Sequence, residues 1–176
     1  MKKRRLIKII IIYLIAAALI VVDQVTKYFS TTMLPLNKEN PVIDGFFYLT
    51  NCQNTGAAWS LFSGQVNLLA IVSLIAAIIV AVFLFFSKYT LLSVSLGLLL
   101  SGAVGNMIDR FRLGYVNDFL DFVIFGYDFP VFNIADICVV VGGMLMILAI
   151  IIYRKDPVLF IRPEFMKKRI EKDDNI

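Results

Sequence analysis

Polar residues divide the chain so as to leave four long apolar runs, at about 6–28, 66–86, 91–108 and 132–153. Each is close to the roughly 20 residues that an α-helix needs to cross a bilayer. The pattern predicts four spanning helices. Segments 29–65 and 109–131 join them at one end, a short turn around Lys88 joins them at the other, and a polar tail follows at 154–176. The first connection has structure of its own. In Val42-Ile-Asp-Gly-Phe-Phe-Tyr-Leu49 an Asp-Gly pair stands between two β-prone stretches, the signal of a hairpin. The expected fold is an all-α membrane protein, one membrane domain over 1–176, with four transmembrane helices and a small sheet at the membrane surface.

Composition agrees. Sixty percent of the 176 residues are apolar and 17% charged, too much apolar surface for a soluble domain of this size to bury. Placement of charge says more than the net +4, which gives no reason to expect a nucleic-acid partner. Lys2, Lys3, Arg4, Arg5 and Lys8 precede or open the first run, Lys88 sits in the short turn, and Arg154, Lys155, Arg162, Lys167, Lys168, Arg169 and Lys172 crowd the tail. The two longer connections, with the end of the first run, hold only Lys27, Lys38, Arg110 and Arg112. Basic residues favour the cytoplasmic side, so both termini are expected there and both longer connections outside, with the tail resting on anionic lipid or disordered. The basic start followed by apolar residues and Ala16-Ala17-Ala18 is like a secretory signal, but the run continues through Val22, so an uncleaved first span is expected.

The chain has no histidine, which excludes Ser-His-Asp and Cys-His catalysis and zinc sites built on His. Its two cysteines, Cys52 and Cys138, are expected to be free thiols. Neither cofactor nor metal is expected. Trp59 and the neighbouring Phe residues suit either an interfacial aromatic belt or a cover over a substrate.

Ionisable groups inside or beside apolar spans are costly and mark functional positions. Asp23, Asp109, Asp118 and Asp136 are such groups. Asp23 has Lys27 four residues on, on the same helix face, which predicts an ion pair with Lys27 snorkelling to water. Asp109 and Arg110 follow Gly105-Asn106 at the end of the third run, where a helix-end salt bridge competes with a role for Asn106 and Arg110 in holding backbone. Asp118 follows the third run in Val116-Asn-Asp-Phe119, and Asp136 lies one turn into the fourth, three residues after Asn133 on its face. Both belong to the same membrane side. Two adjacent carboxylates share one proton, which suits water-mediated peptide hydrolysis and equally suits a proton or cation site in a transporter. A Ser-Lys hydrolase with Lys27 and Ser30 or Ser60 is a weaker reading, as no nucleophile-elbow pattern surrounds any serine. Gly97, Ser101, Gly102, Gly142 and Gly143 are expected to let helices approach closely, with Gly102 and Gly105 also leaving room for a substrate helix.

Asp23-Gln-Val-Thr-Lys27, Asn54-Thr-Gly-Ala-Ala58, Gly105-Asn-Met-Ile-Asp-Arg110, Val116-Asn-Asp-Phe119 and Phe132-Asn-Ile-Ala-Asp136, in that order over four spans, resemble the lipoprotein signal peptidases (signal peptidase II). The resemblance implies an aspartic endopeptidase of the bacterial cytoplasmic membrane that removes the signal peptide from diacylglyceryl-modified prolipoproteins, cutting before the lipidated cysteine. It implies Asp118 and Asp136 as the catalytic pair, with Asn54, Gly102, Asn106, Asp109, Arg110 and Asn133 lining or supporting the site, and Asp23 and Lys27 as a structural ion pair. It further implies an extracytoplasmic β-cradle, membrane lipids and lipidated prolipoproteins as partners, inhibition by globomycin, and a monomer. Two positions depart from the family pattern. Asn117 stands where an apolar residue is usual, and Ile137 where a serine is common.

Overall fold

In the computed structural model, which describes residues 3–56, 62 and 64–155, the chain runs α1 (Lys3–Met33), β1 (Asn40–Ile43), β2 (Phe47–Asn54), α2 (Val66–Phe86), α3 (Thr90–Leu113), β3 (Val116–Ile124), β4 (Tyr127–Phe132) and α4 (Ile134–Tyr153). All four helices are long and apolar enough to cross a membrane. Trp59, Ser60 and the tail from residue 156 onward, on which expectations were placed, lie outside the described residues.

Helix α2 matches its apolar run and α4 starts two residues inside its own, while α1 and α3 outrun the runs that predict them. Helix α1 has 31 residues, about 46 Å at 1.5 Å per residue, and stops just before Pro35, whose ring disfavours helical backbone in the preceding residue. Its last turns therefore carry Asp23, Lys27 and Ser30 into the interior. Helix α3 continues to Leu113 and ends on Gly114, which adopts φ +78° and donates its N–H to the Arg110 carbonyl at 3.3 Å. Asp109 and Arg110 thus lie within α3, just past the end of the apolar run and about a turn before the helix stops at Leu113.

Helix α3 is the centre of the bundle: 56% of its apolar stretch is buried, against 17% for α2. The reason is side-chain size. Ser93, Ser95, Gly97, Ser101, Gly102 and Gly105 are all buried on it and let neighbours approach. A Cβ built on Gly97 would lie 2.6 Å from Ile12 of α1, and one on Gly142 of α4 would lie 3.0 Å from Leu99. The Ser95 hydroxyl donates to the Gly142 carbonyl at 2.9 Å. Gly143 departs from expectation, since a Cβ there meets nothing within 4 Å; it is not a packing position. Ile71, Val72, Ile75, Ile78 and Ile79 of α2 remain exposed, as a lipid-facing helix requires.

The two longer connections combine into one antiparallel sheet of order β1-β2-β3-β4. The β1–β2 hairpin turns at the Asp44-Gly45 position read from the sequence, with Gly45 at φ +73°. The second hairpin, β3–β4, was not expected. Its two-residue turn, Phe125-Gly126, has positive φ at both positions, +52° and +78°. That conformation is typical of tight hairpins, but phenylalanine is a rare occupant of it. The fourth helix begins one residue after β4. The sheet therefore hangs from the ends of α1, α3 and α4, and β3 lies over the helix termini that carry the remaining polar residues.

Candidate active site

Asn133 is the junction of the site. It is the N-cap of α4, its side chain accepting from the Asp136 backbone N–H at 2.9 Å, while the Asp136 carboxylate accepts from the Asn133 N–H at 3.1 Å. This reciprocal capping box satisfies two N–H groups that a helix start leaves open, and fixes the Asp136 side chain at the entrance of α4. The Asn133 amide then donates to Asp118 Oδ1 at 2.6 Å and to Asn106 Oδ1 at 3.1 Å. One buried residue thus binds both aspartates, Asp118 on β3 and Asp136 on α4.

Each aspartate has a second amide donor. Asn54, at the end of β2, donates to Asp118 Oδ2 at 2.9 Å, and its own Oδ1 accepts from the Gly56 N–H at 2.9 Å, which fixes which way its amide points. Asn106 of α3 donates to Asp136 Oδ1 at 2.8 Å. Its orientation is forced as well, because its oxygen faces the Lys27 ammonium at 2.9 Å, a group that only donates.

Behind this layer lies a buried ionic cluster. The Lys27 ammonium contacts Asp23 at 2.9 Å and Asp109 at 2.8 Å, so that with Asn106 its three donors have three acceptors. The expected Asp23–Lys27 pair is present, but Lys27 does not snorkel to water: it is 3% exposed. Asp109 likewise pairs with Lys27 across the bundle and not with its neighbour Arg110. Neutral donors take the second carboxylate charge. The Ala135 N–H, in the first turn of α4, donates to Asp23 at 2.9 Å; Gln24 donates to Asp109 at 2.8 Å and the Asn117 N–H does so at 3.3 Å. Arg110 reaches the Gly56 carbonyl at 3.1 Å, tying α3 to the chain just after Asn54.

Gly102 does not line the site. A Cβ there would meet the Ala135 carbonyl and come within 2.6 Å of the Val139 side chain, and one at Gly105 would lie 2.7 Å from Asp23 Oδ2. Both glycines seat α4 against α3 and leave no room for a substrate helix. Gly102→Ala is expected to push against backbone that cannot yield, lowering stability by about 1–3 kcal/mol. A drop in the thermal unfolding midpoint in detergent, with reduced activity as Asp136 moves with its helix, would show it.

The aspartates open into a cavity of about 700 Å³. Cys52, Asn54 and Thr55 form its polar wall with Asp118 and Asp136, while Phe129–Phe132 of β4 and Ile137, Val140 and Val141 of α4 form an apolar one. Ile137, Val140 and Val141 are among the residues that α4 leaves exposed, so the cavity continues into the surface facing lipid. Burial, and then the charge of Asp136, push the Asp118 carboxyl up to about 7, in spite of the amides of Asn54 and Asn133 that favour its ionised form. Burial and the neighbouring Asp118 also push the Cys52 thiol up, leaving it protonated and a poor nucleophile. Cys52 and Cys138 are both free, as expected. Among the described residues no group of three or more His, Cys, Asp or Glu side chains is arranged to hold a metal ion. The Ser-Lys reading fails for Ser30, which donates to the Thr50 carbonyl at 3.0 Å while Lys27 is held by two carboxylates.

Residues 15–152 match the family described as signal peptidase (SPase) II. The lipoprotein signal peptidases of Staphylococcus aureus strains JH9 and Newman are each 43% identical over 142 residues, covering 78% of this chain and 86% of theirs. The chain belongs to the signal peptidase II family. It is thus an aspartic peptidase, with lipoprotein signal peptidase activity, and a multi-pass membrane protein. Two solved structures of bacterial membrane enzymes, at 2.3 and 1.9 Å resolution, are similar in fold. The first has a TM-score of 0.75 and 38% identity, covering 82% of this chain and 89% of that one. The second has a TM-score of 0.69 and 41% identity, covering 78% and 90%. This membership decides between the peptidase and transporter readings in favour of the peptidase.

Four residues of the site had little or no place in the sequence reading. Gln24 was visible only as part of a motif, and Asn51 and Cys52 carried no signal. Asn117 departs from the family pattern, yet its N–H donates to Asp109 at 3.3 Å and its carbonyl accepts from Asn133 at 3.5 Å.

Proposed function

We propose that Asp118 and Asp136 are the catalytic pair of a peptidase that cuts diacylglyceryl-modified prolipoproteins immediately before the lipidated cysteine. The observation that carries this reading is the shared residue Asn133, which binds both carboxyls at the mouth of one cavity. At neutral pH the pair shares one proton, which we assign to Asp118, whose carboxyl burial and the charge of Asp136 push up to about 7. Asp136 sits at the N-terminus of α4, where the helix dipole suits a carboxylate. The Asp136 carboxylate takes a proton from water as the water oxygen adds to the scissile carbonyl carbon. Asp118 gives its proton to the carbonyl oxygen, producing a neutral gem-diol. On collapse, Asp118 recovers a proton from one hydroxyl, the C–N bond breaks, and Asp136 passes its proton to the departing cysteine amine. The pair returns to its starting state, and the reaction so written uses no cofactor or metal.

The amide groups of Asn54, Asn106 and Asn133 hold the two carboxyls, and Arg110 orders the chain beside Asn54. Lys27, Asp23 and Asp109 support them from behind. The apolar wall of Phe129–Phe132, Ile137 and Val140 suits the lipid and signal helix of a substrate that enters sideways from the bilayer. The bias of Lys and Arg supports cytoplasmic termini and an extracytoplasmic sheet acting as a cradle. Globomycin is expected to occupy the same cavity, and the protein to act as a monomer surrounded by lipid.

The test is cleavage in detergent of a precursor with and without its diacylglyceryl group, followed by gel shift across a pH series. Cleavage confined to the lipidated precursor is the expected result; equal cleavage of both would overturn the lipid requirement. The acid needs its proton, which Asp118 carries below about 7 and loses above it. Activity is therefore expected to fall about tenfold per pH unit on the alkaline side. A flat profile from pH 7 to 9 would count against Asp118 as the acid.

A further inference from the structure

The strand that carries Asp118 does not pair evenly with its neighbour. Leu49 stands opposite Leu120 and Cys52 opposite Asp118, so three steps along β2 match two along β3. The extra residue is a β-bulge at Thr50–Asn51, one position from the Cys52–Asp118 pair. Bulges bend a strand and re-aim its side chains, and a one-residue slip would turn Asp118 to the other face of the sheet.

Groups that a bulge removes from the ladder need other partners. Here they come from the end of α1 and the chain after it. Ser30 donates to the Thr50 carbonyl at 3.0 Å, the Asn37 N–H donates to the Asn51 carbonyl at 2.9 Å, and the Asn51 amide donates to the Leu34 carbonyl at 3.2 Å. The remaining atom, Asn51 Oδ1, accepts from the Asn117 amide at 2.9 Å. Asn117 is completely buried, and its own Oδ1 has no hydrogen-bond partner. Such an oxygen costs about 1–3 kcal/mol, which an apolar side chain of similar size would avoid. What an apolar side chain would lack is the NH2 group that holds Asn51.

We propose that Asn51 and Asn117 form a positioning pair for Asp118, locking the bulge so that its carboxyl faces Asn54 and Asn133. The pair couples the outer sheet to the reaction centre, because Asn117 also gives its N–H to Asp109 and its carbonyl to Asn133. Neither residue lines the cavity. This inference rests on Asp118 being one of the catalytic pair.

The experiment compares Asn51→Leu, Asn117→Leu and the double variant with wild type in cleavage of the lipidated precursor, alongside Asp118→Asn and thermal unfolding in detergent. Exchanging both polar partners for apolar groups of similar size is close to neutral for their own pairing and removes only the donor to the Leu34 carbonyl besides, so the double variant remains a folded test. The expected result is a fall in kcat of about tenfold or more with KM nearly unchanged, and a double variant no slower than the slower single one. A displaced Asp118 also loses donors that favour its charged form, so the alkaline fall in activity moves to higher pH. Folded variants with wild-type kcat and pH profile, or single losses that multiply in the double variant, overturn the proposal. If Asp118→Asn is inactive while the Leu variants match wild type, only the positioning pair falls. If Asp118→Asn cleaves normally, the catalytic reading fails first and this one with it.

Discussion

Asp118→Asn and Asp136→Asn are each expected to lower the cleavage rate by about a thousandfold or more while leaving a folded protein in the membrane. Each replacement keeps the size and planar shape of the side chain but removes the proton exchange on which the mechanism depends. Loss of a general acid or base is worth about 10²–10⁴ in rate, and here each residue serves as both in turn. A thousandfold is about 4 kcal/mol of transition-state stabilisation. The amide also has one acceptor where the carboxyl had two, and both Asp118 oxygens accept from amide groups, Asn54 and Asn133. One donor therefore loses its partner in Asp118→Asn, which costs some stability. Thermal unfolding measured beside cleavage separates the two effects. A variant that unfolds near wild type and yet does not cut identifies chemistry as the loss. Because the two carboxyls act as a unit, the double variant is expected to be little worse than either single one. A losses-multiply outcome would mean two independent roles, and survival of cleavage in either variant would remove that residue from the pair.

Much of this site was legible because its residues stand where physics disfavours them. Asp136 in an apolar run and Asp118 just beyond another have no cheap structural explanation, and the spacing of three put Asn133 beside Asp136, though as a residue of the same helix face and not as the cap of α4. The bundle was legible for a similar reason: runs of about 20 apolar residues admit few other structures in lipid. The failures also share a cause, which is that burial by tertiary contact is not a local property. The i,i+4 spacing of Asp23 and Lys27 revealed a pair, but not the third partner, Asp109, brought in from another helix. Without it, Lys27 reads as a snorkelling surface lysine. Asp23 meets the N–H of Ala135 at a separation of 112 residues, which no local pattern encodes. Gly102 reads both as a site of close helix approach and as room for a substrate, and only α4 laid against it decides for the first. The β3–β4 hairpin escaped for a different reason. Val116–Asn117–Asp118–Phe119 is buried at every position, so the strand lacks the alternation of a half-exposed sheet, and Phe125-Gly126 is an unusual turn.

Lys27→Met is expected to be the most destabilising single exchange in the protein's interior. Methionine fills much the same volume, so packing is not what is lost. Asp23 and Asp109, 1% and 2% exposed, would instead face one another with no cation between them. Removing one partner of a buried ion pair costs about 3–5 kcal/mol, because the remaining charge is stranded away from water. For a chain of this size that corresponds to a fall in unfolding midpoint on the order of 10 °C. The chemistry would suffer as well, through a separable route. Lys27 is, with the Asn133 amide, one of two donors that fix the oxygen of Asn106 inward, and only in that orientation does the Asn106 amide donate to Asp136. The triple variant Asp23→Asn, Lys27→Met, Asp109→Asn distinguishes the two. It carries no buried charge in the cluster, so it should recover much of the unfolding midpoint. It still lacks the ammonium facing Asn106, leaving the Asn133 amide to hold that oxygen, so cleavage should remain below wild type, with kcat reduced more than KM is changed. Recovery of stability and of full activity together would show that the cluster serves folding alone. Stability unchanged in Lys27→Met itself would mean that the two carboxylates find water or protons on their own, and that the ammonium does not hold the site together.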